Sequence, residues 1–137
     1  MTPAEMAALH HAAFANSRGW NAEEFQTLLA SPYCFVAIKG ACFALGRVIA
    51  DEAELLTIAT HPDAQRQGLG LTSLSAYEAQ SCKRGAATSF LEVAADNSAA
   101  IALYLAAGYR ITGTRKAYYK RSCGPAADAL MMAKSLT

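Results

Sequence analysis

A layered α/β fold around a mixed sheet is what this sequence predicts, on three observations. Two capped helical segments open the chain, an apolar hairpin follows, and from residue 54 strand-like and helix-like segments alternate. Interleaved helices and strands build a sheet flanked by helices, and the early hairpin makes that sheet partly antiparallel. At 137 residues the chain reads as one domain, 1–137, large enough for a core without disulfide or metal support.

Thr2-Pro3-Ala4-Glu5 carries the cap, first-turn proline and third-position glutamate of a helix start. Met6, Leu9, His10, Ala13 and Phe14 follow at helical spacing. His10 and His11 diverge by about 100° on a helix and so do not share one metal. His10 reads as a boundary residue and His11 as a surface one. Residues 16–19 break this helix, and Asn21 with Glu24 starts a second that carries Phe25, Leu28 and Leu29 and ends before Pro32. Trp20 sits before that cap as a staple residue would, serving packing or else walling a substrate groove.

The period then changes. Residues 33–39 and 41–50 are apolar β formers separated by Lys39-Gly40, as in a hairpin, and 54–61 make a third strand. A helix over 71–84 ends on Lys83, Arg84 and Gly85. Residues 88–94 form the next strand, apolar enough for helices to cover both faces of the sheet. Asp96-Asn97-Ser98 caps a helix that runs to Ala107 and Gly108, and strands at 109–114 and 129–135 close the sheet around a polar loop.

Net charge is +1, with no basic surplus to mark nucleic acid or an anionic membrane as partner. No apolar run has the length of a membrane span, and the N-terminus lacks signal-peptide character. Cys34, Cys42, Cys82 and Cys123 show no CxxC spacing and no nearby histidine cluster. They read as reduced thiols in a cytoplasmic protein that holds no metal, with Cys34 and Cys42 as small buried hydrophobes.

The chemistry concentrates on the stretch from Ile58 to Leu71. Strand, glycine loop and helix is a geometry in which backbone N–H groups converge on an anion, and Gly68 and Gly70 permit close approach. A Walker loop would close with Gly-Lys-Ser/Thr, whereas this one closes with Gly70-Leu71-Thr72. A Rossmann fingerprint needs a glycine where Ser73 stands and glycines directly after the strand, although Glu92 lies about 20 residues on, as that motif asks. Two opening helices and a hairpin further disfavour a dinucleotide fold. A second constellation lies downstream. Glu92 places a carboxylate in an otherwise apolar strand; partial desolvation suits a general base, and the bland alternative is a carboxylate turned outward onto an arginine. Asn97 can cap the next helix or meet a ligand, and Tyr104, two turns on, shares its face.

Gln65-Arg66-Gln67-Gly68-Leu69-Gly70 matches the acetyl-CoA pattern Gln/Arg-x-x-Gly-x-Gly/Ala, by which the chain resembles the GNAT acetyltransferases. Leu91-Glu92-Val93, then Asn97 to Tyr104, then Gly108-Tyr109, Arg115 to Tyr119 and Asp128 to Met132 narrow the resemblance to the RimI-type ribosomal-protein alanine N-acetyltransferases. It runs from Trp20 to the C-terminus. The resemblance implies a GNAT-like sheet with acetyl-CoA in a V between the strands at 54–61 and 88–94. Ile58, Ala59 and Thr60 would pair with the pantetheine arm as an added strand does. Arg66, Gln67, Gly68, Leu69, Gly70 and Leu71 would wrap the pyrophosphate, and Asn97 would touch the cofactor. Glu92 would be the general base and Tyr104 the general acid. An α-amine has a reference pKa of ~8, so a base helps it at neutral pH.

Three departures stand out, the first bearing on charge support for the pyrophosphate and the other two on peptide contacts and the substrate loop. Leu71 stands where a basic or small polar residue is usual, Ala94 where arginine often follows Leu-Glu-Val, and Lys120 where proline follows the tyrosine pair. Glu54 competes for the role of base. The resemblance implies acetylation of a protein N-terminus, that of a small-subunit ribosomal protein (the eighteenth), by a monomer or weak homodimer, with Trp20, Tyr118 and Tyr119 as an aromatic groove. A small-amine or lysine acetyltransferase is the alternative enzyme. A non-catalytic CoA-binding module would need neither Glu92 nor Tyr104. Acceptor choice rests with the loops at 16–21 and 115–127, and the C-terminal strand is a candidate edge between subunits.

Overall fold

The computed structural model describes residues 1–14, 19–121 and 124–137; the helix break at 16–18 and Cys123 lie outside the described residues. In chain order the elements are α1 (Pro3–Ala13), α2 (Ala22–Leu29), β1 (Cys34–Lys39), β2 (Cys42–Ile49), β3 (Glu52–Thr60), a 3-10 turn (Pro62–Ala64), α3 (Leu69–Lys83), β4 (Thr88–Ala94), α4 (Ser98–Ala106), β5 (Arg110–Tyr119) and β6 (Ala127–Ser135). Both opening helices are capped reciprocally. Thr2 Oγ1 accepts from the Glu5 N–H at 3.1 Å while Glu5 Oε1 accepts from the Thr2 N–H at 2.8 Å, and Asn21 with Glu24 repeats the arrangement.

The six strands lie in the order β1-β2-β3-β4-β6-β5, antiparallel except for β3 beside β4. Because side chains alternate across a strand, two cores form. On one face α3 and α4 bury Leu74, Tyr77 and Tyr104 against Leu55, Leu91 and Val93. On the other, α1 and α2 bury Met6, Leu9 and Phe25 against Phe43, Leu45 and Ala59. This second layer covers β1 to β3 and leaves Phe90, Glu92 and Ala94 of β4 only half-buried, so β4 is not sheathed equally on both faces.

One irregularity opens the sheet. Leu45 pairs with Thr57 and Gly46 with Leu55, so Leu56 is an extra residue on β3, a β-bulge. Parallel pairing of β3 with β4 is confined to residues 52–54 against 88–90, and beyond it the two strands part. This is the V that the family resemblance implies between them.

Three expectations are corrected. β5 runs to Tyr119 rather than stopping at 114, because pairing with β6 resumes at Tyr119–Ala127 after a register shift. Ala117 takes a φ of 48° within that shift, and its N–H donates to Asp128 Oδ1 at 2.8 Å. The C-terminal strand is not an edge: β6 lies between β4 and β5, and β5 is the outer strand. Cys34 is half-buried rather than fully so, since it stands at the mouth of β1, whereas Cys42 is buried.

A polar chain crosses the α3 core. Ser89 Oγ lies 2.8 Å from both Tyr77 Oη and Tyr109 Oη. Burial pushes the phenols of Tyr77, Tyr104 and Tyr109 well above their ordinary value. Unfolded tyrosines ionise near pH ~10 while these hold their protons longer, so their contribution to stability is full below that pH and is lost as pH rises beyond it. The thermal midpoint, followed by circular dichroism, is expected to stay level for these groups up to about pH 9 and then to fall steeply above about pH 10.

Candidate active site

A cavity of about 600 Å³ threads the gap between β3 and β4. Ile58, Glu92, Asn97 and Tyr104, four of the residues singled out from sequence, line it together. Leu91 and Val93 belong to the α3/α4 core, so Glu92, between them on β4, faces the α1/α2 side. Tyr104 belongs to the α3/α4 core and is buried at 5% exposure. The cavity thus presents a carboxylate from one side of the sheet and a phenol from the other.

Glu92 also has the arginine partner that the bland alternative expects: Arg115 Nη2 lies 3.2 Å from its Oε1, with the guanidinium over the Tyr118 ring at 4.7 Å. Glu92 is therefore both cavity-lining and ion-paired. Burial pushes the Tyr104 phenol up, so it remains protonated at neutral pH, and its ring meets Tyr109 edge-on at 5.9 Å. Tyr119 lines the same cavity, and burial, with the neighbouring Glu92 carboxylate, pushes its phenol up to about 12. Tyr118 packs against it at 5.2 Å and is half exposed, so only Trp20 and Tyr119 of the expected aromatic groove line the cavity.

Asn97 caps α4, its Oδ1 accepting from the Ala100 N–H at 3.2 Å. Across the mouth, Arg121 donates to both Asp96 oxygens at 3.1 and 2.6 Å, which ties the chain after β5 to the β4–α4 turn and holds the Asp96 carboxyl below the usual carboxylate range. Glu54 does not line the cavity. It pairs with Arg47 on β2, beside the stretch where β3 and β4 are still joined.

The remaining predicted residues are not among those that line the cavity. Ala59 is buried in the α1/α2 core, and Thr60 donates to Cys42 Sγ at 3.1 Å. Leu69, Gly70 and Leu71 form the first turn of α3, which begins two residues before the predicted start. Arg66 and Gly68 both take the left-handed conformation, at φ 65° and 76°, with Gln67 between them. Gly68 stands at the N-cap of α3, and among the described residues no side chain caps the first-turn N–H groups, an anion-ready helix start. Among the described residues no group of three or more His, Cys, Asp or Glu side chains could hold a metal ion.

Two residues of the site escape the sequence reading. His10, expected at a boundary, is 5% exposed and lines the cavity, stacked on Trp20 at 5.3 Å and bonded through Nε2 to Thr57 Oγ1 at 3.0 Å. Thr57 lines the cavity beside the bulge. The signal for His10 is its place at apolar helical spacing; for Thr57 it is a hydroxyl within an apolar strand.

The sequence profile of the acetyltransferase (GNAT) family matches residues 5–109. The chain is 47% identical over 95 residues to a ribosomal protein bS18-alanine N-acetyltransferase of Escherichia coli strain K12, an alignment spanning 69% of this chain and 64% of that relative. The chain therefore matches slightly less than two thirds of that relative's length. It is 34% identical over 129 residues to the N-alpha-acetyltransferase RimI of Mycobacterium tuberculosis, covering 87% of this chain and 77% of that one. Among solved structures, the ribosomal-protein-S18-alanine N-acetyltransferase of Escherichia coli superposes with a TM-score of 0.87 at 35% identity, over 98% of this chain and 88% of the other. Profile, relatives and sheet architecture agree, and the chain belongs to the GNAT family of acetyltransferases.

Proposed function

We propose that this protein transfers the acetyl group of acetyl-CoA to the α-amine of a protein N-terminus, with the N-terminal alanine of ribosomal protein bS18 as acceptor and the cytoplasm as its place of work. The observation that carries this reading is the cavity through the split sheet, with Glu92 on one face and Tyr104 on the other. Acetyl-CoA suits the residues present: the parted edge of β3 has backbone groups for an extended arm, and the glycine N-cap of α3, which offers no side-chain oxygen to the first-turn N–H groups, suits a pyrophosphate. The thioester supplies the acyl group; the chain supplies orientation and proton management. Ile58, Ala59 and Thr60 would hold the arm, residues 66–71 the pyrophosphate, and Asn97 the cofactor near the reacting end. Glu92 would take the proton from the ammonium of the acceptor, directly or through water, with Arg115 holding its carboxylate in place. Tyr104 would donate a hydrogen bond to the sulfur as negative charge develops there, a role that its retained proton suits.

The test is CoA release with a peptide bearing the bS18 N-terminus, run beside the same peptide with its α-amine blocked and beside a lysine side-chain acceptor. Turnover that requires the free α-amine is expected; turnover of the lysine acceptor alone would overturn the reading. Tyr104→Phe is expected to lower kcat by about 10- to 100-fold with the peptide KM unchanged, since one hydrogen bond made to the developing charge is lost. The fold should tolerate that change, because no protein hydrogen bond to Tyr104 Oη is found among the described residues.

A further inference from the structure

We propose that Thr57, oriented by His10, donates a hydrogen bond to the carbonyl oxygen next to the acceptor amine, so that the site selects an α-amino-acyl terminus over a simple amine. The inference rests on the acetyl-transfer reading above and adds the residues that would enforce its acceptor class.

The orientation follows from donors and acceptors. The Trp20 backbone N–H lies 3.2 Å from His10 Nδ1. A backbone N–H can only donate, so Nδ1 carries the lone pair and the neutral ring carries its proton on Nε2. Nε2 then donates to Thr57 Oγ1 across 3.0 Å. With that lone pair engaged, the hydroxyl keeps its own proton to give, and no acceptor for it is found among the described residues. The imidazole has little room to turn, being packed by Phe14 at 4.5 Å, Trp20 at 5.3 Å and Phe25 edge-on at 5.7 Å.

The placement says what the hydroxyl meets. Thr57 reaches α1, so it lies on the same face of the sheet as Glu92, and both line the cavity, one on each of the parted strands. An amine directed at Glu92 presents its neighbouring carbons towards β3. In an α-amino-acyl group the second of these is a carbonyl and accepts the hydrogen bond; in a lysine side chain it is a methylene. Phe14, Trp20 and Leu56 surround this part of the cavity, so a donor left unpaired there is costly. A site built to bond a polar group rejects the analogue that lacks it.

The experiment compares two acceptors on each variant: an alanine-initiated peptide, and the same peptide with a trans-alkene in place of its first peptide bond. For Thr57→Val, kcat/KM is expected to fall about tenfold with the peptide and less than twofold with the alkene, the worth of one hydrogen bond. Thr57→Ser should restore the peptide rate. His10→Leu should erode the carbonyl preference in the parent but add nothing in a Thr57→Val background, which a merely structural role for His10 would not produce. Equal losses on both acceptors, or no loss on either, would overturn the proposal. Failure of the parent to acetylate any α-amine would instead remove the acetyl-transfer reading on which it stands.

Discussion

Glu92→Gln is expected to lower kcat for an α-amine acceptor by about 10²- to 10⁴-fold while leaving the affinity for acetyl-CoA within about twofold of the parent. The substitution keeps size and hydrogen-bonding shape but removes the site that takes a proton. Of the two carboxylates that line the cavity among the described residues, Asp96 is held by both prongs of Arg121, whereas Arg115 meets a single Glu92 oxygen. The pH dependence separates a base from a mere ligand. Near neutrality most of the acceptor amine is protonated, with a reference pKa of ~8, and the parent enzyme must remove that proton. Above about pH 9 the amine is already neutral in solution. The deficit of the variant should therefore shrink as pH rises, and steady-state rates from pH 6 to 9.5 will show it. A deficit that stays constant across that range would assign Glu92 to binding instead.

Gly46→Ala is expected to destabilise the fold by about 3 kcal/mol, at the upper end of what overpacking costs. A Cβ at Gly46 would stand 2.5 and 2.6 Å from ring carbons of Tyr77 and 2.9 Å from Phe35 Cζ. Neither ring is free to yield. They stack on each other at 5.9 Å and 10°, Tyr77 is fully buried, and its hydroxyl is bonded to Ser89. Tyr77 sits on α3, the helix whose first turn would hold the pyrophosphate, so the displaced helix should also weaken CoA binding. Denaturant unfolding measures the first effect and calorimetric titration with CoA the second. Pairing Gly46→Ala with Tyr77→Leu should cost less than the sum of the two, because the clash disappears when the ring does.

Much of this molecule was legible in its residues because the signals were local. Caps at Thr2, Asn21 and Asn97 and the switch from helical to alternating periodicity after Pro32 locate elements through contacts only a few residues long. The α/β class followed from their order, and the glycine loop with Glu92 and Tyr104 carried the family resemblance. What stayed hidden was set by contacts between segments distant in sequence. The true length of β5 depends on pairing with β6 across a register shift, and the interior place of β6 depends on strand order. The opening of the sheet depends on one extra residue at Leu56, visible only once β2 lies beside β3. His10 is the clearest case. At apolar spacing on α1 it reads as a boundary residue, and only the meeting of α1 with Trp20 and β3 buries its ring and gives both nitrogens partners. The sequence by itself determined which elements form and which residue types are present to do chemistry. Tertiary structure decided which of them face one cavity, because the direction of a side chain is settled by its packing partners rather than by its neighbours in the chain.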